Sequence, residues 1–254
     1  MITDEVDAIE SAAIIVIGAS SVIAQALLER FSQQEHAPQL VTISRQSELK
    51  KPPKDYNIRH YQSDYSEGSI GDICQQLKPL KGKIRQVYIC NGILHKGSIK
   101  PEKRVEDILP ASLHQVFESN AIVPMLWLKK LKPLLTGKQQ CVVTVFSARI
   151  GSIEDNNRGG WYAYRASKAA LNMFVKTAAI EYKRSARALQ FLVFHPGTTD
   201  TPLSKPFHKF VSEDRLFTPE FVAEQLLKIV DSMTKQPPES TIQFLDWQGK
   251  KIPW

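Results

Sequence analysis

Ala13-Ile14-Ile15-Val16-Ile17-Gly18-Ala19-Ser20-Ser21 is an unbroken apolar run that closes on a glycine and gives way to a helical pattern over residues 22–33. A short apolar run bounded by a glycine turn reads as a buried strand, and the helix begins where that strand ends. A helix N-terminus in this place offers unpaired backbone N–H groups and the positive end of a dipole, which suit a pyrophosphate. The same strand, turn and helix could also stand without any nucleotide.

Working outward, the alternation continues to the end of the chain. Apolar runs recur at 40–44, 58–61, 86–90, 140–146, 189–194 and 242–245, with helical patterns at 69–77, 111–135, 164–183 and 219–233. Strands alternating with helices predict the α/β class: a doubly wound Rossmann-type parallel sheet of about seven strands with helices on both faces, and ligands at the C-terminal strand ends. No repeat, low-complexity tract or linker divides the pattern, so residues 1–254 read as a single domain. Lys50-Lys51-Pro52-Pro53-Lys54 reads as a surface connection. The irregular stretch 198–217, with Pro202 and Pro206, suits either a substrate lid or a plain surface loop.

Composition narrows the class. With 43% hydrophobic and 23% charged residues the chain reads as an ordinary globular domain, and no run approaches the ~18 apolar residues of a membrane span. Met1-Ile2-Thr3-Asp4-Glu5 has no signal-peptide pattern. Cys74, Cys90 and Cys141 form an odd set best read as buried reduced thiols, with no metal site, which points to the cytoplasm. The net charge of +7 gathers at Lys78, Lys81, Lys83 and Arg85, and again at Lys129, Lys130 and Lys132. These clusters fall near predicted helix ends without interleaved aromatics, so no nucleic-acid partner and no membrane partner is expected. A basic balance also suits an anionic dinucleotide.

The chemistry concentrates in residues 159–172, Gly-Gly-Trp-Tyr-Ala-Tyr-Arg-Ala-Ser-Lys-Ala-Ala-Leu-Asn. Tyr164 and Lys168 are four apart on a helical pattern and share a face. An ammonium beside a phenol pulls the phenol's pKa toward neutrality, which makes the pair a device for moving a proton. A Tyr and a Lys one turn apart are also common on solvated helix faces. Tyr162 has Ala166 four residues on, so it has no such partner.

Tyr164-Arg165-Ala166-Ser167-Lys168 resembles the active-site helix of the short-chain dehydrogenase/reductase family. The glycine turn at Gly18, Asp64, Ser147-Ala148-Arg149-Ile150-Gly151 and Pro196-Gly197-Thr198-Thr199-Asp200-Thr201 resemble four further landmarks of that family in the right order. The resemblance runs from about Ala13 to Trp254. The segment 159–168 and the closing residues 244–254 are similar to the branch with C-factor and sniffer-type carbonyl reductases.

The resemblance implies a dinucleotide site made by Gly18, Ser20, Ser21, Ile23, Ser44, Arg45, Asp64, Asn91, Gly92, Tyr164, Lys168, Pro196, Gly197, Thr199 and Thr201. It implies a catalytic set of Asn120, Ser147, Tyr164 and Lys168, in which Lys168 lowers the Tyr164 pKa and Asn120 anchors a water. Where most members have three glycines this chain has Gly18, Val22 and Ala24, and Val22 reads as a residue resisting φ > 0 and crowding the pyrophosphate. Ser44-Arg45, with no acid, favours NADP(H) over NAD(H), because a guanidinium forks onto a phosphate. Arg45 could also be an ordinary loop charge, and Asp64 a turn residue. Ala148 stands where the family's second serine orients the substrate; either Ser147 supplies that hydroxyl or none does. Helices 111–135 and 164–183 resemble those that pair subunits, implying a homodimer or homotetramer. Two readings follow: an NADPH-dependent oxidoreductase acting on a small-molecule carbonyl or alcohol, or a nucleotide-binding signalling or regulatory protein with little turnover.

Overall fold

The computed structural model describes residues 12–34, 38–49, 52–53, 56, 58–235 and 241–254. The leading Met1–Glu5 segment and Lys50, Lys51 and Lys54 lie outside the described residues.

Seven strands build the central sheet: β1 (Ala13–Ile17), β2 (Gln39–Ser44), β3 (Ile58–Gln62), β4 (Ile84–Ile89), β5 (Cys141–Phe146), β6 (Leu189–His195) and, nearest the C-terminus, β9 (Ile242–Asp246). They pair in the order β3-β2-β1-β4-β5-β6-β9, every pair parallel. The chain winds one way from β1 to β3 and crosses back at β4, so a crevice opens above the ends of β1 and β4. Both faces of the sheet are buried, and the strand residues divide between them with period two. Ile15, Ile17, Val87, Val143 and Val193 face one core, while Ile14, Val16, Tyr88, Val142 and Leu192 face the other. The helices α1 (Val22–Ser32) and α6 (Pro219–Lys235) cover the second of these cores. The helices α2 (Glu67–Gln76), α4 (Val123–Leu135) and α5 (Tyr162–Tyr182) cover the first.

The single helix expected over 111–135 is three pieces: α3 (Pro110–Phe117), a π-helical turn at Glu118–Ile122, and α4. The cause is local. Pro124 has no N–H for the carbonyl of Asn120 four residues back, and its ring crowds that carbonyl. The widened turn therefore falls on Asn120, and π-bulges of this kind gather at functional sites.

The irregular stretch after β6 is pinned at both ends. Its first residues, β7 (Thr198–Thr199), pair with β8 (Leu216–Phe217), and two short 3₁₀ turns, Lys205–Phe210 and Glu213–Arg215, lie between. Gly197 has φ +74, and a Cβ there would stand 2.6 Å from the Phe217 ring and 3.0 Å from that of Trp247. Phe217, Phe221 and Trp247 close into one cluster with centroids 4.3 to 5.5 Å apart. Cys74, Cys90 and Cys141 are free, and among the described residues no helix is long and apolar enough to cross a membrane.

Candidate active site

A groove of about 740 Å³ opens at the crevice between β1 and β4. Gly18, Ser20, Ser21, Arg45, Asp64, Asn91 and Gly92 line it. Gly18 is required: φ is +78, and a Cβ would stand 3.0 Å from the Cys90 backbone. Ser21 caps α1, its hydroxyl accepting from Ala24 N–H at 3.2 Å. Val22 is the first residue of α1, outside the positive-φ region. The expected backbone resistance therefore does not arise, because this position is helical; only the side chain remains to crowd a phosphate.

Other members of the expected set have local duties. Ser44 is buried and exchanges hydrogen bonds with the Gln46 backbone at 3.0 and 3.3 Å, so of Ser44-Arg45 only Arg45 lines the groove. The exposed Arg45 guanidinium lies 5.9 Å from the centroid of the Tyr65 ring. Asp64 accepts from Ser66 N–H at 2.8 Å, which holds its carboxyl below the usual range and makes it a turn residue as well as a groove residue. Ile23, Pro196, Gly197, Thr199 and Thr201 are not among the groove's lining residues. Thr199 is buried against the Pro196 carbonyl, and Thr201 exchanges bonds with Ser204 at the start of the irregular stretch.

Asn91 Oδ1 is buried and has no hydrogen-bond partner among the described residues, in a groove that otherwise offers backbone and hydroxyl donors. That orphaned acceptor, the glycine turn and the Arg45 cation together fit a dinucleotide carrying an adenine amino group and phosphates.

Gly92 and Ile93 line the groove and touch the chemical residues as well. A Cβ on Gly92 would lie 3.3 Å from Lys168 Nζ and 3.5 Å from Asn120 Oδ1. Ile93 N–H donates to Asn120 Oδ1 at 2.7 Å, while Asn120 Nδ2 donates to the Ile93 carbonyl at 2.9 Å and to Ser167 Oγ at 3.0 Å. Lys168, buried at 3% exposure, donates to the Phe146 carbonyl at 2.8 Å. Gly151 permits the turn after β5 to lie on this lysine, since a Cβ there would stand 2.8 Å from Lys168 Cβ. Ser147 donates to Asn172 Oδ1 at 2.7 Å, so its hydroxyl is committed to α5.

The ionisation of the pair departs from expectation. Burial pushes the Tyr164 phenol up to about 12 and the Lys168 ammonium down to about 7. Lys168 Nζ is 5.9 Å from the Tyr164 ring centroid. The lysine does not depress the phenol here, because the desolvation that makes a nearby charge effective also removes that charge. Two groups whose pKa values are driven strongly by one buried site mark that site as a candidate for acid–base work.

Several groove residues carried no motif. Gln115, Glu118, Ser119 and Ile122 fall at i, i+3, i+4 and i+7, so helical spacing alone would have placed them on one face. Tyr65 gave no such signal. It is left-handed at φ 68, 8% exposed and edge-on to Trp127 at 6.2 Å.

The fold and this arrangement define a protein of the doubly wound α/β type with an open groove at the switch point of its sheet. Residues 12–211 match the short chain dehydrogenase family, and the chain belongs to that family. Over 142 residues it is 32% identical to 1-hydroxy-2-glutathionyl-2-methyl-3-butene dehydrogenase of Rhodococcus sp. (strain AD45), a match covering 56% of this chain and only 58% of that relative. Over 148 residues it is 30% identical to C-signal of Myxococcus xanthus, covering 58% of this chain and 82% of the relative. Among solved structures, carbonyl reductase Sniffer of D. melanogaster superposes with a TM-score of 0.80 at 19% identity, covering 95% of this chain and 99% of the other. The NADPH-bound carbonyl reductase from chicken fatty liver gives 0.77 at 20%, covering 95% and 98%. At these identities the structural likeness is one of fold.

Proposed function

We propose that this chain is an NADPH-dependent reductase of small-molecule carbonyls, able to run in reverse on the corresponding alcohols. The observation that carries the reading is the continuity at Gly92 and Ile93, which line the nucleotide groove and also touch Lys168 and Asn120. When bound, the dinucleotide supplies a hydride for the carbonyl carbon. Gly18, the α1 N-terminus and Asn91 would hold its phosphate and adenine ends, and Arg45 a 2′-phosphate. The NADPH in one of the similar structures supports that choice. The Tyr164 hydroxyl gives its proton to the carbonyl oxygen, completing the alcohol. A phenolate left in this half-buried place needs a cation, and Lys168, whose Nζ lies 5.9 Å from the Tyr164 ring centroid, is the group placed to carry one. Asn120 ties the end of β4 to α5 and so keeps Lys168 in register. Ser147 is read as a positioning residue through Asn172, leaving Ala148 to present a methyl group to the substrate.

Supporting a homo-oligomer, Ile122, Met173, Phe174 and Ile180 expose 40–62% of their surface on the π turn and α5. The free cysteines suit the reducing cytoplasm. A second reading, a nucleotide-binding signalling protein, is favoured by Ala148, by the committed Ser147 hydroxyl and by the likeness to C-signal.

One variant separates the two. Tyr164→Phe keeps the ring and removes the acid. With NADPH and a panel of aldehydes and ketones, it should lower reduction ~10²–10⁴-fold while NADPH binding, followed by nicotinamide fluorescence, stays within about threefold. The half-exposed Tyr162 is the control, and Tyr162→Phe should leave turnover intact. A Tyr164→Phe protein with full activity would overturn the mechanism. NADPH binding with no turnover across the panel would favour the signalling reading.

A further inference from the structure

The helix that carries Tyr164 and Lys168 starts without a cap of its own. Gly159, Gly160 and Trp161 all have positive φ, at 63, 65 and 54, so the chain enters α5 through a left-handed segment. Trp161 occupies the cap position and makes no side-chain cap bond. The first N–H groups of a helix have no partner within it and must find one outside. Here the partner is Glu102, which lies 61 residues before Ala163 in sequence. Its backbone carbonyl accepts from Trp161 N–H at 2.6 Å, and its Oε2 accepts from Ala163 N–H at 3.2 Å. Ala163 is the residue before Tyr164.

Glu102 is only 4% exposed, its Oε1 is buried with no hydrogen-bond partner, and it makes no ion pair among the described residues. An unpaired buried carboxylate is costly and calls for a compensating role. The positive end of the α5 dipole offsets part of that cost. A second restraint acts on the same segment: the Arg165 guanidinium donates to the Gly159 and Gly160 carbonyls at 2.9 to 3.2 Å. The strand-end loop that carries Glu102 also carries His95, whose ring nitrogen Nε2 bonds the Leu203 carbonyl of the irregular stretch at 3.1 Å. That stretch returns to the helix start, with Phe207 4.8 Å from Trp161, centroid to centroid.

We infer that Glu102 is a positioning residue for the reaction, acting as the external cap that fixes the first turn of α5 and so the placement of the Tyr164 hydroxyl. The inference rests on the reading of Tyr164 as proton donor. What it requires of Glu102 is an acceptor oxygen at that reach and no negative charge.

Two conservative variants separate reach from charge. Glu102→Gln keeps the acceptor at full length and loses the charge. Glu102→Asp keeps the charge and withdraws it by one C–C bond, about 1.5 Å. With NADPH and a carbonyl substrate from the panel, Glu102→Gln should hold kcat within about threefold of the parent. Glu102→Asp should lower kcat at least about tenfold, with the NADPH dissociation constant within about threefold, because misplacement of a reacting group is felt in turnover. Amide hydrogen exchange at Ala163 and Tyr164 should quicken in Glu102→Asp and match the parent in Glu102→Gln, a readout that needs no substrate. Parent-like kcat and exchange in Glu102→Asp, or equal damage in Glu102→Gln, overturns the inference. Should Glu102→Asp not fold, Glu102→Gln decides alone: parent-like turnover and exchange support the cap, and loss of either refutes it. Tyr164→Phe on the same substrate reports on the underlying reading separately.

Discussion

The groove between β1, β2 and β4 and the cluster around Lys168 are made of different materials. Along the groove the chain works with turns and open surface: Gly18 at positive φ, a capped helix start, an exposed Arg45 and the unpartnered Asn91 Oδ1. Around Lys168 the polar side chains are buried and already bonded, Asn120 to Ile93 and Ser167, Ser147 to Asn172, Lys168 to Phe146. The first region leaves polar atoms open, and the second holds them in fixed positions. On the proposed reading a ligand binds at the first and only a proton moves in the second. Substitutions should therefore act differently in the two: through ligand affinity in the groove, through turnover and pH dependence in the cluster.

Lys168→Met tests the cluster with the largest expected effect. Turnover should fall ~10²-fold or more, as expected when a group supporting acid–base chemistry is removed. Stability should respond with a definite sign. Burial lowers Lys168 from 10.5 to about 7, so between those values the unfolded chain binds more protons than the folded one. The folded state then gains stability as pH rises through that window, by up to ~1.4 kcal/mol per pH unit. Lys168→Met should lose this rise. Urea unfolding of both proteins between about pH 7 and pH 9 compares the slopes, and the difference cancels the contribution of the buried cysteines common to both. Equal slopes would mean that Lys168 is not held near neutrality.

Arg45→Asp tests the groove. The parent should bind NADPH at least about tenfold more tightly than NADH, or ~1.4 kcal/mol, and the variant should erase or reverse that preference with little change in fold. Calorimetric titration with both nucleotides reads it directly. Tighter NADH binding by the unaltered protein would break the assignment of Arg45 to a 2′-phosphate.

The same contrast governs what the sequence could say. Strand ends followed by turns announce themselves locally, so β1, Gly18, the alternation of elements and the seven-strand sheet were legible from short windows. Arg45 and Asp64, which line the groove, sit on those turns and so fell within the same short windows. The cluster depends on partners far apart in the chain, with Ser147 and Asn172 25 residues apart and Glu102 and Ala163 61 apart. No window contains both members. The Tyr164–Lys168 spacing revealed the face they share but not the desolvation around them, which pushes the two pKa values away from neutrality for the phenol and toward it for the amine. The π turn at Asn120 was readable in principle from Pro124, four residues on.

The smallest expected effect sits where sequence and structure differ over one side chain. Val22 occupies a helical position, so replacing it relieves no backbone strain. Its isopropyl group stands at the N-terminus of α1, beside the groove residues Ser20 and Ser21. If the group narrows the approach to the helix N–H groups, Val22→Gly should tighten NADPH binding by a few-fold, well under the ~1.4 kcal/mol of a tenfold change. Glycine within a helix costs up to ~1 kcal/mol relative to alanine, and less than that relative to a β-branched residue. Thermal unfolding with and without saturating nucleotide separates the two effects: a lower melting temperature in the free protein with a larger upward shift on binding is the expected pattern. An unchanged or smaller shift would show that the turn already fits its ligand around Val22, and that the open groove, like the buried cluster, has settled on its own set of contacts.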